Sequence, residues 1–225
     1  MGLTGYVGLS RIRSKQKHPS LSVEQLYQSA VRNVFFQGRD AMNLQIVCAG
    51  IGGRGVLLAS TILIETAIKA GLKAMASDEY GMSQRGGSVV SLVKVGDFES
   101  PLVGRESADI LLAFEESEFY RNLPSLKIGG TTLINTSKKS FSTDIEGLLK
   151  QRKIKYFFLD ADAIAMKKGM IQSSNMAMVG FFSALKISIF TFEKIEETIR
   201  QKVKAKLVEK NIEVFQAGYA LAHSS

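Results

Sequence analysis

The stretch that decides the fold reads Val47-Cys-Ala-Gly-Ile-Gly-Gly-Arg-Gly-Val-Leu57. Apolar residues at 44–49 stand before its glycines and predict a short buried strand. After the glycines, apolar positions recur at helical spacing from Val56 to Ala70, and Gly71 follows as the residue that ends a helix. A strand, a glycine turn and a helix in this order predict an α/β fold.

The glycine turn fits the pattern G-x-G-x-x-G at Gly50, Gly52 and Gly55, with Gly53 beside them. In such a turn the glycines permit a tight bend and let an anion approach the backbone. The helix N-terminus contributes partial positive charge, and the Arg54 guanidinium adds a donor for phosphate or carboxylate. We therefore expect a turn that contacts an anion or a partner. A strand-to-helix turn also needs glycines for its geometry alone, so a purely structural turn stays an alternative.

A second glycine-rich loop stands where a nucleotide-binding fold would continue with its second helix. It reads Asp78-Glu-Tyr-Gly-Met-Ser-Gln-Arg-Gly-Gly-Ser-Val-Val-Ser91. Each of its three glycines costs about 1 kcal/mol in a helix interior, so we expect a loop. A polar loop that leads straight into an apolar strand is typical of a contact surface, although the glycines could simply turn the chain. The candidate contact residues are Glu79, Ser83, Gln84, Arg85, Gly86 and Gly87.

The rest of the chain alternates strands with helices, which predicts a Rossmann-like doubly wound, mostly parallel sheet with helices on both faces. The strand at Ser88–Val95 has no helix before it, so we expect the sheet to be mixed there. The other predicted strands are Ala74–Ser77, Ala108–Phe114, Thr131–Asn135 after a Gly129-Gly130 turn, and Tyr156–Leu159. The predicted helices are Glu116–Leu123, Asp144–Arg152 with a cap at Ser142 or Thr143, Ala161–Lys168, Ser174–Lys186, Phe192–Lys204 with a cap at Thr191, and Val208–Ala222.

The composition of the 225-residue chain excludes several kinds of site. Cys48 is the one cysteine, so the chain has no internal disulfide and cannot hold a four-thiolate iron–sulfur cluster or a zinc site of several cysteines. The two histidines, His18 and His223, are far in sequence from both glycine loops, which disfavours a histidine-based catalytic set. No apolar run approaches the roughly 20 residues of a membrane span. We expect a soluble, cytoplasmic protein without a metal or catalytic residue of its own.

Half of the net charge of +8 lies in the first 41 residues of the chain. Residues 1–41 hold six basic and two acidic residues, whereas the rest holds 23 basic and 19 acidic ones. The body shows no stripe of Arg and Lys interleaved with aromatic residues, so we expect no nucleic-acid binding. The first segment fits a vector-derived or misassigned start, a native extension, or a targeting peptide, although the apolar core of the last is missing. The predicted organisation is an N-terminal extension at 1–41 and a single domain at 42–225.

Three acidic residues, Glu115, Glu116 and Glu118, follow the strand predicted at Ala108–Phe114. Sheets of this class bind ligands at the carboxyl ends of their strands, and paired carboxylates can transfer protons. Acidic side chains near a helix N-terminus are also favoured by the helix dipole. We interpret the three carboxylates mainly as stabilising the helix.

Four motifs taken together resemble one known family. They are Val47 to Leu57 as quoted above, Glu79-Tyr-Gly-Met-Ser-Gln-Arg-Gly-Gly-Ser-Val89, Ser107-Ala-Asp-Ile-Leu-Leu-Ala-Phe-Glu115 and Gly129-Gly-Thr-Thr-Leu-Ile-Asn135. In these motifs the chain is similar to the gamma-type subunit of 2-oxoacid:ferredoxin oxidoreductases. The form Gly-Met-Ser-Gln-Arg-Gly-Gly most resembles the beta subunit of indolepyruvate oxidoreductase. The similarity covers about Met42–Leu221 and leaves residues 1–41 outside it.

The resemblance implies a subunit, not catalytic alone, of a complex that converts a 2-oxoacid and coenzyme A to acyl-CoA, CO2 and reduced ferredoxin. Thiamine diphosphate, Mg and iron–sulfur clusters are then expected on partner subunits, none bound by this chain alone, with coenzyme A as co-substrate. The resemblance also implies that the complex as a whole interacts with ferredoxin. It does not decide whether this chain forms a homodimer. The glycine loops are expected to face the partner and to help form the substrate or coenzyme A cleft.

Arg54 departs from the family pattern, in which Gln is more usual, and this bears on which acid or phosphate is preferred. The alternative function is a stand-alone NAD(P)- or FAD-binding Rossmann protein. Asp78 and Glu79 follow Gly55 by 23 and 24 residues, roughly where a ribose-binding acid stands in that class. A third class is a scaffold that uses the fold without a ligand.

Overall fold

The computed structural model describes residues 42–81 and 86–222. The expectations for the extension at 1–41 and for Ser83, Gln84 and Arg85 lie outside the described residues. The described residues fall within one compact unit, Phe35–Ser225. None of the helices in this described part is long and apolar enough to cross a membrane.

A six-stranded sheet lies at the centre of the fold. Its strands are β1 (Leu44–Ile51), β2 (Ala74–Tyr80), β3 (Ser88–Val95), β4 (Ala108–Ala113), β5 (Leu126–Asn135) and β6 (Lys155–Leu159). Their spatial order is β2-β3-β1-β4-β5-β6, with parallel pairing from β1 through β6 and β3 antiparallel to both of its neighbours. All strands except β3 therefore point the same way. The predicted fold class is confirmed, and the strand without a preceding helix is the one that mixes the sheet.

Seven α-helices connect and cover the strands in the described part of the chain. They are α1 (Val56–Lys69), α2 (Glu116–Asn122), α3 (Thr143–Gln151), α4 (Ala161–Lys167), α5 (Ser174–Ala184), α6 (Phe192–Lys202) and α7 (Val208–Ala222). Gly71, at φ 82°, ends α1 as predicted: the Leu72 N–H donates to Ala67 O and the Gly71 N–H to Ile68 O. Thr191 caps α6, whereas Ser142 at the start of α3 makes no side-chain cap hydrogen bond.

The helices cover both faces of the sheet because side chains on a strand alternate between its two sides. Val47 and Ala49 belong to a core cluster with Phe119 of α2 and Leu149 of α3. On the other face, α1 packs against β1, β2 and β3. Helices α5 and α6 pack against α1, and α5, α6 and α7 pack against one another. Both faces of the parallel strands are thus buried, and their carboxyl ends stay at one edge of the sheet.

The pair Gly129-Gly130 corrects one expectation from the sequence. It was predicted to turn the chain before a strand at Thr131, but β5 begins at Leu126 and runs through both glycines. The pairing of β4 with β5 shifts register here, and Gly129 takes a φ of 77° while its N–H donates to Arg152 O. The glycines therefore form an irregularity inside the strand, where a positive φ favours Gly.

Candidate functional site

The two glycine-rich loops meet at the carboxyl end of β1. The Gly52 N–H donates to Gly87 O across 2.9 Å, and the Gly81 N–H donates to Ser88 O across 2.8 Å. The first bond joins the turn after β1 to the loop before β3, and the second closes the β2–β3 hairpin. This edge also carries the carboxyl ends of β4, β5 and β6, which is where α/β sheets place their ligands.

A cleft of about 810 Å³ opens between these loops. Its size suits a small-molecule or peptide-segment site. The described residues that line it carry no charged side chain. They are Ile51, Gly52, Gly53, Gly55, Val56, Leu57, Tyr80, Gly81 and Val89. The described part of the lining is therefore apolar and edged by glycine backbone, with Tyr80 59% exposed at its side.

The glycines of the turn have different physical roles. Gly50 lies inside β1, and a Cβ there would come within 2.7 Å of Val56 Cγ2 and 2.9 Å of Phe114 Cβ. Gly50 thus lets α1 pack closely on the sheet and does not line the cleft. Gly53 has a φ of 96° with no atom within 4 Å of a Cβ placed on it, so its backbone is open to an approaching group.

Gly55 joins the turn to α1 in the left-handed conformation, at φ 72°. The helix has no side-chain cap, so N–H groups of its first turn remain available at this end. The Gly55 carbonyl accepts from Asn175 Nδ2 at 3.1 Å, and a Cβ on Gly55 would lie only 2.4 Å from that nitrogen. Asn175 of α5 therefore holds the turn in place.

Arg54 is held by acids of the same chain. Its Nη1 and Nη2 donate to the two carboxylate oxygens of Asp162 at 2.9 and 3.2 Å, and its Nε pairs with Glu115. Asn135, at the end of β5, joins the group by donating to Asp162 and to the Phe114 carbonyl. The guanidinium thus connects the turn after β1 with residues that follow β4 and β6.

Electrostatics fix the charge of this group. Partial burial alone would lower the pKa of the Arg54 guanidinium. The negative charges of Asp162 and Glu115, and their hydrogen bonds with Arg54, raise this pKa above its ordinary value. The guanidinium is a positive centre already matched by two carboxylates. The geometry therefore favours Arg54 as a support of the turn over Arg54 as a free anion ligand.

The three glutamates after β4 all have partners. Glu115 pairs with Arg54, and Glu116 accepts from Lys138, Thr136 and Tyr120. Glu118 is only 2% exposed and accepts from Ser88 Oγ at 2.7 Å, which ties α2 to the first residue of β3. Most of these contacts join the three carboxylates to other segments of the fold, whereas the sequence predicted that they stabilise the helix itself.

Other candidates lie away from the cleft lining. Glu79 is exposed on β2, and Gly86 has a φ of 82° just before the Gly87 contact. Asp78 accepts from Ser91 Oγ at 2.5 Å on β3. Because β3 lies between β2 and β1, these acids stand two strands from the glycine turn, and the geometry does not favour a ribose-binding role beside it.

The chain's thiol is not a reactive group. Cys48 is fully buried, and this burial raises the pKa of its thiol to about 12, with a smaller contribution from the negative charge of Asp78. Within residues 42–81 and 86–222, no cluster of three or more His, Cys, Asp or Glu side chains could hold a metal ion.

Sequence reasoning missed the side chains that fix the site. Asp162 and Asn175 were not singled out as candidates, although both are anchors of the glycine turn. They lie 108 and 120 residues from their partners in the turn, so no local spacing signals the contact. The one sequence feature that indicated a role for Asp162 is its position near the start of a helix that follows a strand.

Comparison with known proteins gives the chain its family. The family described as pyruvate ferredoxin/flavodoxin oxidoreductase matches residues 45–221. The indolepyruvate oxidoreductase subunit IorB of Archaeoglobus fulgidus is 32% identical over 195 residues, which cover 81% of this chain and 97% of the relative. The 2-oxoglutarate synthase subunit KorC of Methanothermobacter marburgensis is 32% identical over 182 residues, covering 80% and 97%.

A solved structure shows the same architecture. It is the gamma subunit of a keto/oxoacid ferredoxin oxidoreductase from Geobacter sulfurreducens, with a TM-score of 0.64, 25% identity, and coverage of 81% of this chain and 99% of that one. The fold and the matched segment together define a small α/β subunit of an oxidoreductase. The chain belongs to the pyruvate ferredoxin/flavodoxin oxidoreductase family. The resemblance predicted from four sequence motifs is therefore confirmed.

The relatives are small subunits of 2-oxoacid ferredoxin oxidoreductase complexes, so the predicted function class is confirmed and partner subunits are implied. Complexes of this family use thiamine diphosphate and iron–sulfur clusters.

Proposed function

We propose that this chain is the gamma-type subunit of a thiamine diphosphate-dependent 2-oxoacid:ferredoxin oxidoreductase of the indolepyruvate type, acting in the cytoplasm. In this function it helps convert a 2-oxoacid and coenzyme A to acyl-CoA, CO2 and reduced ferredoxin. The observation that carries the proposal is the joining of both family loops at Gly52 and Gly87, which forms one cleft at the ligand-binding edge of the sheet.

The cofactors belong on partner subunits in this proposal. Thiamine diphosphate supplies the decarboxylation chemistry and iron–sulfur clusters carry the electrons when they are bound. The residues of this chain do not fit either metal-dependent group: the single cysteine is buried, and the described part holds no cluster of metal ligands. No catalytic step is therefore assigned to this chain's side chains.

The chain's own contribution is a shaped wall at the partner interface. Open backbone at Gly53 and the uncapped start of α1 offer N–H donors to an anionic or carbonyl group, while Val56, Leu57 and Val89 offer apolar contact. Gly52, Gly53 and Gly55, which line the cleft, are the proposed contacts on this wall. The proposed contacts of the adjoining loop are Glu79, Ser83, Gln84, Arg85, Gly86 and Gly87, whereas Gly50 and Arg54 act through packing and support.

The lining of the cleft also supports an apolar substrate type. An aromatic 2-oxoacid needs apolar walls, which Ile51, Leu57 and Tyr80 provide in the described part of the lining. We therefore propose an aromatic 2-oxoacid such as indolepyruvate as the substrate.

Co-purification tests the proposal. The tagged full chain is drawn from its native cell extract, and mass spectrometry identifies what elutes with it. We expect a large thiamine- and cluster-bearing partner in stoichiometric amount. A chain that elutes alone, at any salt concentration, contradicts the proposal.

A pair of variants then tests the cleft. Leu57 lines it in the first turn of α1, whereas Ile68 is 50% exposed in the last turn of the same helix. We expect Leu57→Gln to lower 2-oxoacid oxidation by the complex about tenfold, since a central contact at an interface is worth about 1–2 kcal/mol. Ile68→Gln serves as the matched control and keeps full activity. Equal activity of the two variants shows that the cleft contacts neither the substrate nor a partner subunit.

A further inference from the structure

A second cavity, of about 720 Å³, lies on the opposite side of the α1 N-terminus from the glycine cleft. It is bounded by Gly55 and Leu58, by the turn at 169–173, and by the segment that joins α6 to α7. Among the described residues, Gly55 alone lines both this cavity and the glycine cleft. The function proposed above does not use this space.

Three polar side chains at this cavity are almost completely buried and keep unused hydrogen-bonding capacity. Asn175, Asn211 and Ser173 are 2%, 6% and 5% exposed. Asn175 donates to the Gly55 carbonyl and Asn211 to the Leu207 carbonyl, both through Nδ2. Their Oδ1 atoms and the Ser173 hydroxyl have no partner within the described residues. These acceptor atoms are open to the cavity, so a ligand with N–H donors can bond to them.

The cavity also has a cationic side. Lys202 lines it, but its ammonium pairs with Glu65. Lys204 lines it as well, is exposed, and has no ion-pair partner in the part of the chain that the structure describes. One free ammonium suits a single carboxylate better than a doubly charged phosphate.

The remaining walls are apolar. Leu58, Met170, Val203 and Leu207 face the same space. A ligand that complements all of these groups therefore has three parts. Its ammonium bonds to the amide oxygens of Asn175 and Asn211 and to the Ser173 hydroxyl, its carboxylate pairs with Lys204, and its apolar body contacts the remaining walls. We propose that this cavity binds an apolar L-α-amino acid.

A ligand in this cavity affects the glycine turn through Asn175. Asn175 contacts the cavity and holds the Gly55 carbonyl at the same time. An ammonium that bonds to Asn175 Oδ1 orders the amide whose nitrogen supports Gly55. Occupancy of this cavity is thereby coupled to the start of α1, which also borders the glycine cleft.

Calorimetric titration of the full chain tests the proposal without reference to its enzymatic function. The probes are L-phenylalanine, L-leucine, N-acetyl-L-phenylalanine, phenylethylamine, adenosine monophosphate and inorganic phosphate. We expect the two amino acids to bind, and the probes without an ammonium or without a carboxylate to bind at least tenfold more weakly, since each loses charge-assisted hydrogen bonds. Absence of binding by both amino acids overturns the proposal, as does equal binding of N-acetyl-L-phenylalanine or preferential binding of either phosphate.

Two surface variants locate the binding. Lys204→Glu is expected to weaken L-phenylalanine binding at least tenfold, whereas Lys206→Glu, an exposed lysine two residues away that does not line the cavity, leaves it unchanged. Both residues are exposed, so neither change threatens the fold. Equal effects of the two variants place the amino acid elsewhere and overturn the assignment.

Discussion

Arg54 connects three segments that are distant in sequence. Its guanidinium forms a two-bond contact with Asp162 and a further contact with Glu115, and Asn135 supports Asp162 from the side. A planar guanidinium can bridge two carboxylates in this way, whereas a glutamine amide cannot. The position of the glycine turn therefore depends on one side chain that leaves the cleft itself free.

We expect Arg54→Gln to lower the free energy of unfolding by about 1–2 kcal/mol, because two carboxylates lose their counter-charge in a partly screened setting. Arg200→Gln is the control, since Arg200 also contacts two glutamates but at a more exposed site, and should cost less than about 0.5 kcal/mol. Urea unfolding of the full chain measures both values. Equal losses mean that Arg54 is an ordinary surface cation.

Glu116 gives a prediction about pH. Burial alone would raise the pKa of its carboxyl, but hydrogen bonds from Lys138, Thr136 and Tyr120 hold it below the ordinary value of 4.5. A lowered pKa in the folded state means that the ionised carboxylate stabilises the fold above pH 4.5, and that this contribution disappears as pH falls through the lowered pKa.

Glu116→Gln should accordingly unfold more easily than the parent chain at neutral pH, with the difference vanishing in strongly acid buffer. Denaturant titrations at several pH values measure this. Glu213→Gln, at an exposed position without a hydrogen bond or ion pair to another side chain of the described residues, should show no such trend. A difference for Glu116→Gln that stays constant into acid conditions is incompatible with the lowered pKa.

The residue types of the site were readable from the sequence, but their pairing was not. The glycine pattern predicted the turn, and an Arg within it naturally indicated an anion contact. Glu115 and Asp162 lie 61 and 108 residues further along, and only the parallel order of β1, β4, β5 and β6 brings them to the same edge. A local pattern cannot show whether a cation faces a ligand or an acid of its own chain.

At the scale of whole elements, α5 and α7 cross in close contact. A Cβ on Gly180 would lie 2.0 Å from Phe215 O, and one on Gly218 would lie 2.1 Å from Ala177 O. The two backbones therefore touch where each helix has a glycine. Every residue of α5 is buried, so this apolar helix belongs to the core and not to a partner surface.

We expect Gly218→Ala to lower the free energy of unfolding by at least about 2 kcal/mol, because a methyl group forces two helix backbones apart. Gly147→Ala in α3 is the matched control. No atom lies within 4 Å of a Cβ placed there, so the change should stabilise the chain by up to about 1 kcal/mol through helix propensity.

Thermal and denaturant unfolding measure both variants. Destabilisation by both, to the same degree, contradicts the close crossing of α5 and α7 and points to a general effect of removing glycine.

Element types were predictable because apolar periodicity is strong in this chain. The strand at Ser88–Val95 and the helix at Val208–Ala222 have the bounds predicted for them. The start of β5 was missed since Gly129-Gly130 is a turn signal by composition, while the paired neighbour β4 keeps the chain extended through it. Tertiary pairing overrides local propensity at such a position.

At the scale of the whole molecule, the features of the site lie at one edge of the sheet. Both family loops meet there through Gly52 and Gly87, Arg54 and Asn175 fix the turn between them, and the chain provides no metal-ligand cluster in its described part. We propose that such a subunit shapes a site whose chemistry is supplied by its partners. The central claim is therefore that the complex needs this chain for activity although the chain has no activity alone.

The most direct test is the indolepyruvate-driven, coenzyme A-dependent reduction of ferredoxin by the complex purified through the tagged full chain. Partner subunits separated from this chain should lose the activity and regain it when the chain is added back, and Leu57→Gln should restore much less than Ile68→Gln. Full activity of the partners without this chain, or no reduction with any 2-oxoacid when all subunits are present, contradicts the account.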